Sequence, residues 1–66
     1  MLYYTVKQEM SPYLERTIAK FDSIEEADKY ARKESRFSAS RYFIYKNNRT
    51  GEHFEAMYIA GMITIM

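Results

Sequence analysis

Read for its alternation of apolar and polar positions, the chain changes period twice. From Leu2 to Gln8 (LYYTVKQ) the side chains alternate, with Leu2, Tyr4 and Val6 on one face and Tyr3, Thr5 and Lys7 on the other, as in a half-buried strand. Glu9 to Leu14 (EMSPYL) contains Ser11-Pro12. Proline fixes its own φ and biases the preceding residue away from the helical region, so a loop is expected there. Glu15 to Phe21 (ERTIAKF) resumes extended character, with Arg16, Ile18 and Lys20 on one face and Thr17, Ala19 and Phe21 on the other. The second set is expected inward, because Phe21 lies two residues before a helix start and is drawn beneath the helix.

The period then lengthens. In Phe21 to Ser35 (FDSIEEADKYARKES), Ile24, Ala27, Tyr30/Ala31 and Glu34 recur at spacings of three and four, giving one narrow apolar stripe about three turns long. Ser23 and Glu26 have the spacing of a capping box, in which the serine hydroxyl accepts from the Glu26 amide and the glutamate reaches back. Glu25, Glu26 and Asp28 precede Lys29, Arg32, Lys33 and Arg36, the charge order that complements the helix dipole. Glu25 to Lys29 and Asp28 to Arg32 are acid-to-base pairs at i, i+4. Two alanines in the stripe let the helix lie close on something flat and apolar.

After a small-residue connection, Arg36 to Ser40, the period returns to two. Arg41 to Lys46 (RYFIYK) is the most strand-like run, dense in aromatic and β-branched residues. Asn47 to Gly51 (NNRTG) has residues that accept the left-handed backbone of a hairpin turn. Glu52 to Ala60 (EHFEAMYIA) is the returning strand, with Phe54, Ala56, Tyr58 and Ala60 on one face and His53, Glu55, Met57 and Ile59 on the other. Gly61 bends or ends it, and residues 61–66 read either as an extra strand or as a tail docking on a partner. The expected architecture is therefore α+β: one ββαββ domain over residues 1–66, a largely antiparallel four-stranded sheet with one helix packed on one face.

Composition sharpens this. A chain of 66 residues buries only about 60% of its unfolded surface, so the core is thin. With no cysteine there is no disulfide or thiolate-metal staple, and seven tyrosines and four phenylalanines must supply bulk, helped by oligomerisation. Absence of cysteine fits a reducing, cytoplasmic setting. The net charge of +1 gives no general drive toward nucleic acid or an anionic membrane. Met1 leads straight into a strand-like run, so no secretory signal is expected, and the apolar run Met57 to Met66 is far shorter than the roughly 20 residues of a membrane span. Asn48-Arg49-Thr50 matches a glycosylation acceptor but reads as a turn.

One helix covers one sheet face, yet both faces carry apolar residues. With Leu2, Tyr4, Val6, Tyr42 and Ile44 under the helix, Tyr3, Thr5, Lys7, Arg41, Phe43 and Tyr45 point away from it and form the expected interaction face. Homodimerisation is the first expectation for that face, because a thin core gains from pairing sheets. Binding to a different protein is the second. Single-stranded nucleic acid is the third, with Tyr3, Phe43 and Tyr45 stacking on bases and Lys7, Arg41 and Lys46 meeting phosphate; the chain has no RNP-like motif. Lys29, Arg32, Lys33 and Arg36, with Arg41, form a secondary basic patch that a solvated helix face explains more simply. No catalytic group, cofactor or metal site is expected: His53 is the only histidine, only Gly51 and Gly61 could build a phosphate loop, and a cross-strand polar pair accounts for His53 and Glu55. The chain reads as a non-enzymatic protein-interaction module.

Phe21 to Ala31, FDSIEEADKYA, between an extended segment and an aromatic hairpin, is similar to a pattern F-x-S-x-E-E-A-x-x-Y-A common in small uncharacterised phage and prophage proteins. The match covers about a sixth of the chain, capping chemistry alone would select much of it, and no functional residue is carried over. The resemblance implies a compact accessory protein acting by binding in the host cytoplasm, as a modulator or inhibitor of a host or defence protein.

Overall fold

The computed structural model describes residues 2–65. Its elements run β1 (Tyr3–Ser11), β2 (Leu14–Phe21), α1 (Ile24–Arg36), β3 (Tyr42–Asn48), β4 (Gly51–Ile59) and β5 (Met62–Ile65). They form one antiparallel sheet in the order β2-β1-β3-β4-β5. The α+β class holds, but the sheet has five strands instead of four. The additional strand follows Gly61. Ala60 (φ 53°) and Gly61 (φ 83°) reverse the chain with the positive-φ pair of a type I′ turn. Met66, the last residue of the expected tail, lies outside the described residues.

Ala60 holds a left-handed conformation that costs a β-carbon-bearing residue roughly 1 kcal/mol. Ala60→Asn, which creates the Asn-Gly pair preferred in such turns, is therefore expected to raise the thermal midpoint by about 4 °C or more. Differential scanning calorimetry checks it; an unchanged or lower midpoint contradicts the strain.

The loop expected around Pro12 is much shorter than Glu9 to Leu14. β1 runs to Ser11, β2 begins at Leu14, and the turn is Pro12-Tyr13 alone. The fixed φ of proline suits the leading position of such a turn, so it tightens the hairpin instead of opening it. At the other end Leu2 precedes β1 and is exposed, so it does not join Tyr4 and Val6 beneath the helix. β2 and β3 both pair antiparallel with β1, one on each side, so they run in the same direction. The chain must cross over β1 to join them, and α1 makes that crossing. This topology assigns the helix its face.

The core lies between α1 and that face. Val6, Ile44, Ala27 and Ala31 have 0% exposure, with Tyr42, Ala56 and Tyr58 almost as buried. Ala27 and Ala31 bring the helix close to the sheet. Ser23 caps it, its hydroxyl accepting from the Glu26 amide at 3.2 Å; the return bond runs from the same hydroxyl to Glu26 Oε1 at 3.1 Å. Ser35 is fully buried and clamps the last turn to the β4–β5 turn, its Oγ accepting from the Gly61 amide at 2.9 Å. The Tyr58 hydroxyl donates to Asp28, which also holds Arg32 through both carboxylate oxygens. Burial alone would raise the Asp28 carboxyl, but the bonds from Tyr58 and Arg32 and the Arg32 charge outweigh it and hold it below its ordinary value.

Register shifts redistribute residues between faces. Val6 pairs with Ala19 and Lys7 with Thr17, leaving Ile18 as an inserted residue. Ala19 and Phe21 stay against the core, as expected, while Thr17 moves to the opposite face beside Lys7. Ile44 pairs with Ala56 and Tyr45 with Phe54, so Glu55 is inserted in β4. Phe54 therefore does not share a face with Ala56 and Tyr58, and His53 and Glu55 are no longer simple same-face neighbours. A bulge adds one residue to the count, and strict alternation fails beyond it.

Candidate functional site

The face opposite α1 is built from β1, β3 and β4, with β2 and β5 at its margins. Tyr3, Thr5 and Lys7 lie opposite Asn47, Tyr45 and Phe43, and Phe43 lies opposite Met57. All six residues expected on the interaction face, Tyr3, Thr5, Lys7, Arg41, Phe43 and Tyr45, are on this side. Their environments differ. Phe43 and Thr5 are buried within the face, Lys7 and Tyr45 are half-buried, and Arg41 stands just before β3 with its guanidinium 3.8 Å from Glu9.

Phe43, Tyr45 and Phe54 form an aromatic triangle, with centroids 6.5 Å apart from Phe43 to each of the others and 6.0 Å from Tyr45 to Phe54. Edge-tilted rings at such separations attract one another through their quadrupoles. The residue that alternation assigned elsewhere is Phe54, delivered here by the Glu55 bulge. It is 44% exposed. Met57, Ile59, Met62 and Ile65 follow on the same side toward the β5 edge, since Met57 pairs with Ile65 and Ile59 with Met62. Ile59, Met62 and Ile65 are exposed, so this half of the face is continuously apolar.

The other half is polar and internally paired. Lys7 Nζ lies 3.0 Å from Glu52 Oε2 and 4.7 Å from the Tyr45 ring centre. The Tyr45 hydroxyl donates to Glu15 Oε1 at 3.0 Å, bridging β3 to β2, and Lys20 Nζ sits 4.3 Å from the Tyr3 ring centre. Asn47 Nδ2 donates to Thr5 Oγ1 at 3.2 Å. Burial, then the bond to Glu15 and the nearby carboxylates, push the Tyr45 hydroxyl up to about 12 from the usual 10.0. The neutral tyrosine is the favoured form in the fold, so its contribution is full below pH 10 and is lost as pH rises through 12. Unfolding free energy is expected to fall by about 1–2 kcal/mol across that window after allowance for solvent screening. Tyr45→Phe should remove this share of the alkaline slope; an unaltered slope in urea titrations at pH 9 to 12 would contradict the assignment.

The residues of the secondary basic patch make different contacts. Lys29 and Lys33 flank a shallow depression with Phe21, Glu26 and Tyr30. Arg32 lies over the Tyr58 ring at 5.6 Å and pairs with Asp28, and Arg36 lies against Gly61 near the β4–β5 turn. With 3.6 residues per turn all four share the outer face of α1, Lys29 and Lys33 leaning toward Phe21 and Arg32 and Arg36 toward Tyr58 and Gly61. Among the described residues Glu25 and Lys29 do not form the expected ion pair. His53 lies at the β3–β4 turn, with Nε2 2.8 Å from Thr50 Oγ1, and among the described residues no cluster of His, Cys, Asp and Glu is arranged to hold a metal ion. Among the described residues no helix is long and apolar enough to cross a membrane.

Compared with known proteins, the chain matches no family model, and no curated protein or solved structure shows significant similarity to it.

Proposed function

We propose that the protein is a non-enzymatic interaction module that uses the face opposite α1, first of all to pair with a second copy of itself. The observation that carries this is the apolar sweep from Phe43, Tyr45 and Phe54 through Met57, Ile59, Met62 and Ile65, with no element lying over it among the described residues. The molecule measures 32 × 25 × 19 Å, so its whole broad side, polar half included, has a footprint of at most about 800 Å². That is what one partner contributes to a standard stable interface. Two such faces brought together would bury Phe54 and the β5 side chains, which a thin, cysteine-free core otherwise leaves wet.

The polar half suits the rim of such an interface, because Lys7 and Glu52, and Arg41 and Glu9, are already paired within one copy. Single-stranded nucleic acid is the alternative occupant, favoured by the exposed Phe54 ring and by Lys20 beside Tyr3. Lys7 and Arg41 are already engaged by Glu52 and Glu9, and Glu15 adds a further carboxylate beside Tyr45, so little cationic charge is free to meet phosphate and the protein partner is preferred. Acting in a host cytoplasm on a host or defence protein, as the phage resemblance implies, belongs to the same proposal. Light scattering across a concentration series tests the dimer: a doubled mass that dissociates on dilution is expected, and a monomer at the highest concentration overturns it. A labelled oligonucleotide titrated at low salt should give no salt-sensitive binding.

A further inference from the structure

The side of the sheet that carries α1 is not fully covered. The helix contacts all five strands, and a cleft of about 320 Å³ opens between its first two turns and β4 and β5. Ile24, Ala56, Tyr58 and Ile63 make its apolar surface, and Glu25, Asp28 and Glu55 stand around it. Glu55 and Ala56 are consecutive strand residues that would ordinarily point to opposite faces. They line the same cleft because Glu55 is the bulged residue of β4, unpaired between Ala56 and Phe54.

The carboxylates are not equivalent. Asp28 is engaged by Tyr58 and Arg32. Glu25 and Glu55 have no lysine or arginine within 4.0 Å among the described residues. The start of α1 offsets part of the negative charge, at roughly half a positive charge, but Glu26 shares that compensation. The cleft therefore combines an apolar floor with uncompensated negative charge. Among the described residues the carboxylates do not form a group able to hold a bare metal ion. A cation carried on an aliphatic stem matches both parts: the stem lies on Ile24, Ala56 and Ile63 while the charged head reaches Glu25 and Glu55.

From this charge complementarity we infer that the cleft receives a lysine or arginine side chain of a partner protein, at a second site on the opposite side of the sheet from the aromatic face. The test is amide chemical-shift titration of the intact chain with three blocked amino acids: N-acetyl-arginine amide, N-acetyl-lysine amide and N-acetyl-norleucine amide. Shifts centred on Ile24, Ala56 and Ile63 are expected with arginine or lysine, at least fivefold tighter than with norleucine. Glu55→Gln and Glu25→Gln should each weaken the cationic probe by about three- to tenfold, with the spectrum otherwise retained. Equal binding of norleucine, or a Glu55→Gln variant of unchanged affinity, overturns the inference. Spermidine binding more than tenfold tighter than blocked arginine also overturns it, by assigning the cleft to a free polyamine. The outcome is independent of the dimer, whose seam lies on the other face.

Discussion

Phe54→Arg is expected to weaken self-association by at least about 30-fold, while the fold itself survives. Phe54 completes the aromatic triangle, yet nearly half of its surface is open, so the isolated subunit depends little on it. Aromatic anchors near the centre of an interface commonly contribute 2 kcal/mol or more. An arginine there would also have to leave water without a carboxylate already free to receive it, because Glu52 holds Lys7 and Glu15 accepts from Tyr45. Phe54→Leu, which keeps the apolar character, should lose much less. Sedimentation velocity of the three proteins, with circular dichroism to verify folding, distinguishes the outcomes. Self-association of Phe54→Arg at wild-type strength would remove the aromatic face as the seam.

Ile44→Ala should have the largest effect on stability. Ile44 is fully buried in β3, opposite Val6 on one side and Ala56 on the other, directly beneath α1. Truncating such a side chain costs about 2–5 kcal/mol, the lost transfer energy plus a cavity that the small alanines of the helix cannot fill. A domain of this length has a total stability of roughly 3–10 kcal/mol, so the variant should be partly or wholly unfolded at 37 °C. Ile44→Val is expected to cost only about 0.5–1.5 kcal/mol. Urea unfolding at one fixed protein concentration measures both, since dimerisation would otherwise shift the midpoint by mass action. A loss below 1 kcal/mol for Ile44→Ala would mean that the helix can settle onto the sheet, contrary to the close packing of Ala27 and Ala31.

Some features were legible because they depend on neighbours in the chain. The Ser23 cap lies three residues from the group it satisfies, and the charge order along α1 acts on the helix itself. The sides of β1 and β3 followed from uninterrupted alternation, which is why Tyr3, Thr5, Lys7, Phe43 and Tyr45 were placed together. Other features had no local signal. Pro12 could open a loop or sharpen a turn, and the lengths of the paired strands decided for the turn. Ser35 reads as an ordinary polar helix residue until the Gly61 amide is brought against it. The Met62–Ile65 run is too short for its pattern to separate a strand from a tail, and its pairing with β4 settles the matter.

What the sequence by itself determined is the period of each segment, and hence one helix with an alanine-bearing stripe, a set of strands, and a sheet with apolar residues on both sides. The tertiary structure alone decided where alternation breaks. A bulge is a mismatch between two strands, and its position depends on which residues of distant segments are held opposite each other. At Glu55 that mismatch sends Phe54 to the open face and Glu55 to the cleft beside α1. The residue that completes the aromatic face and the residue that charges the cleft are therefore products of pairing between β3 and β4, which the order of residues in β4 alone does not reveal.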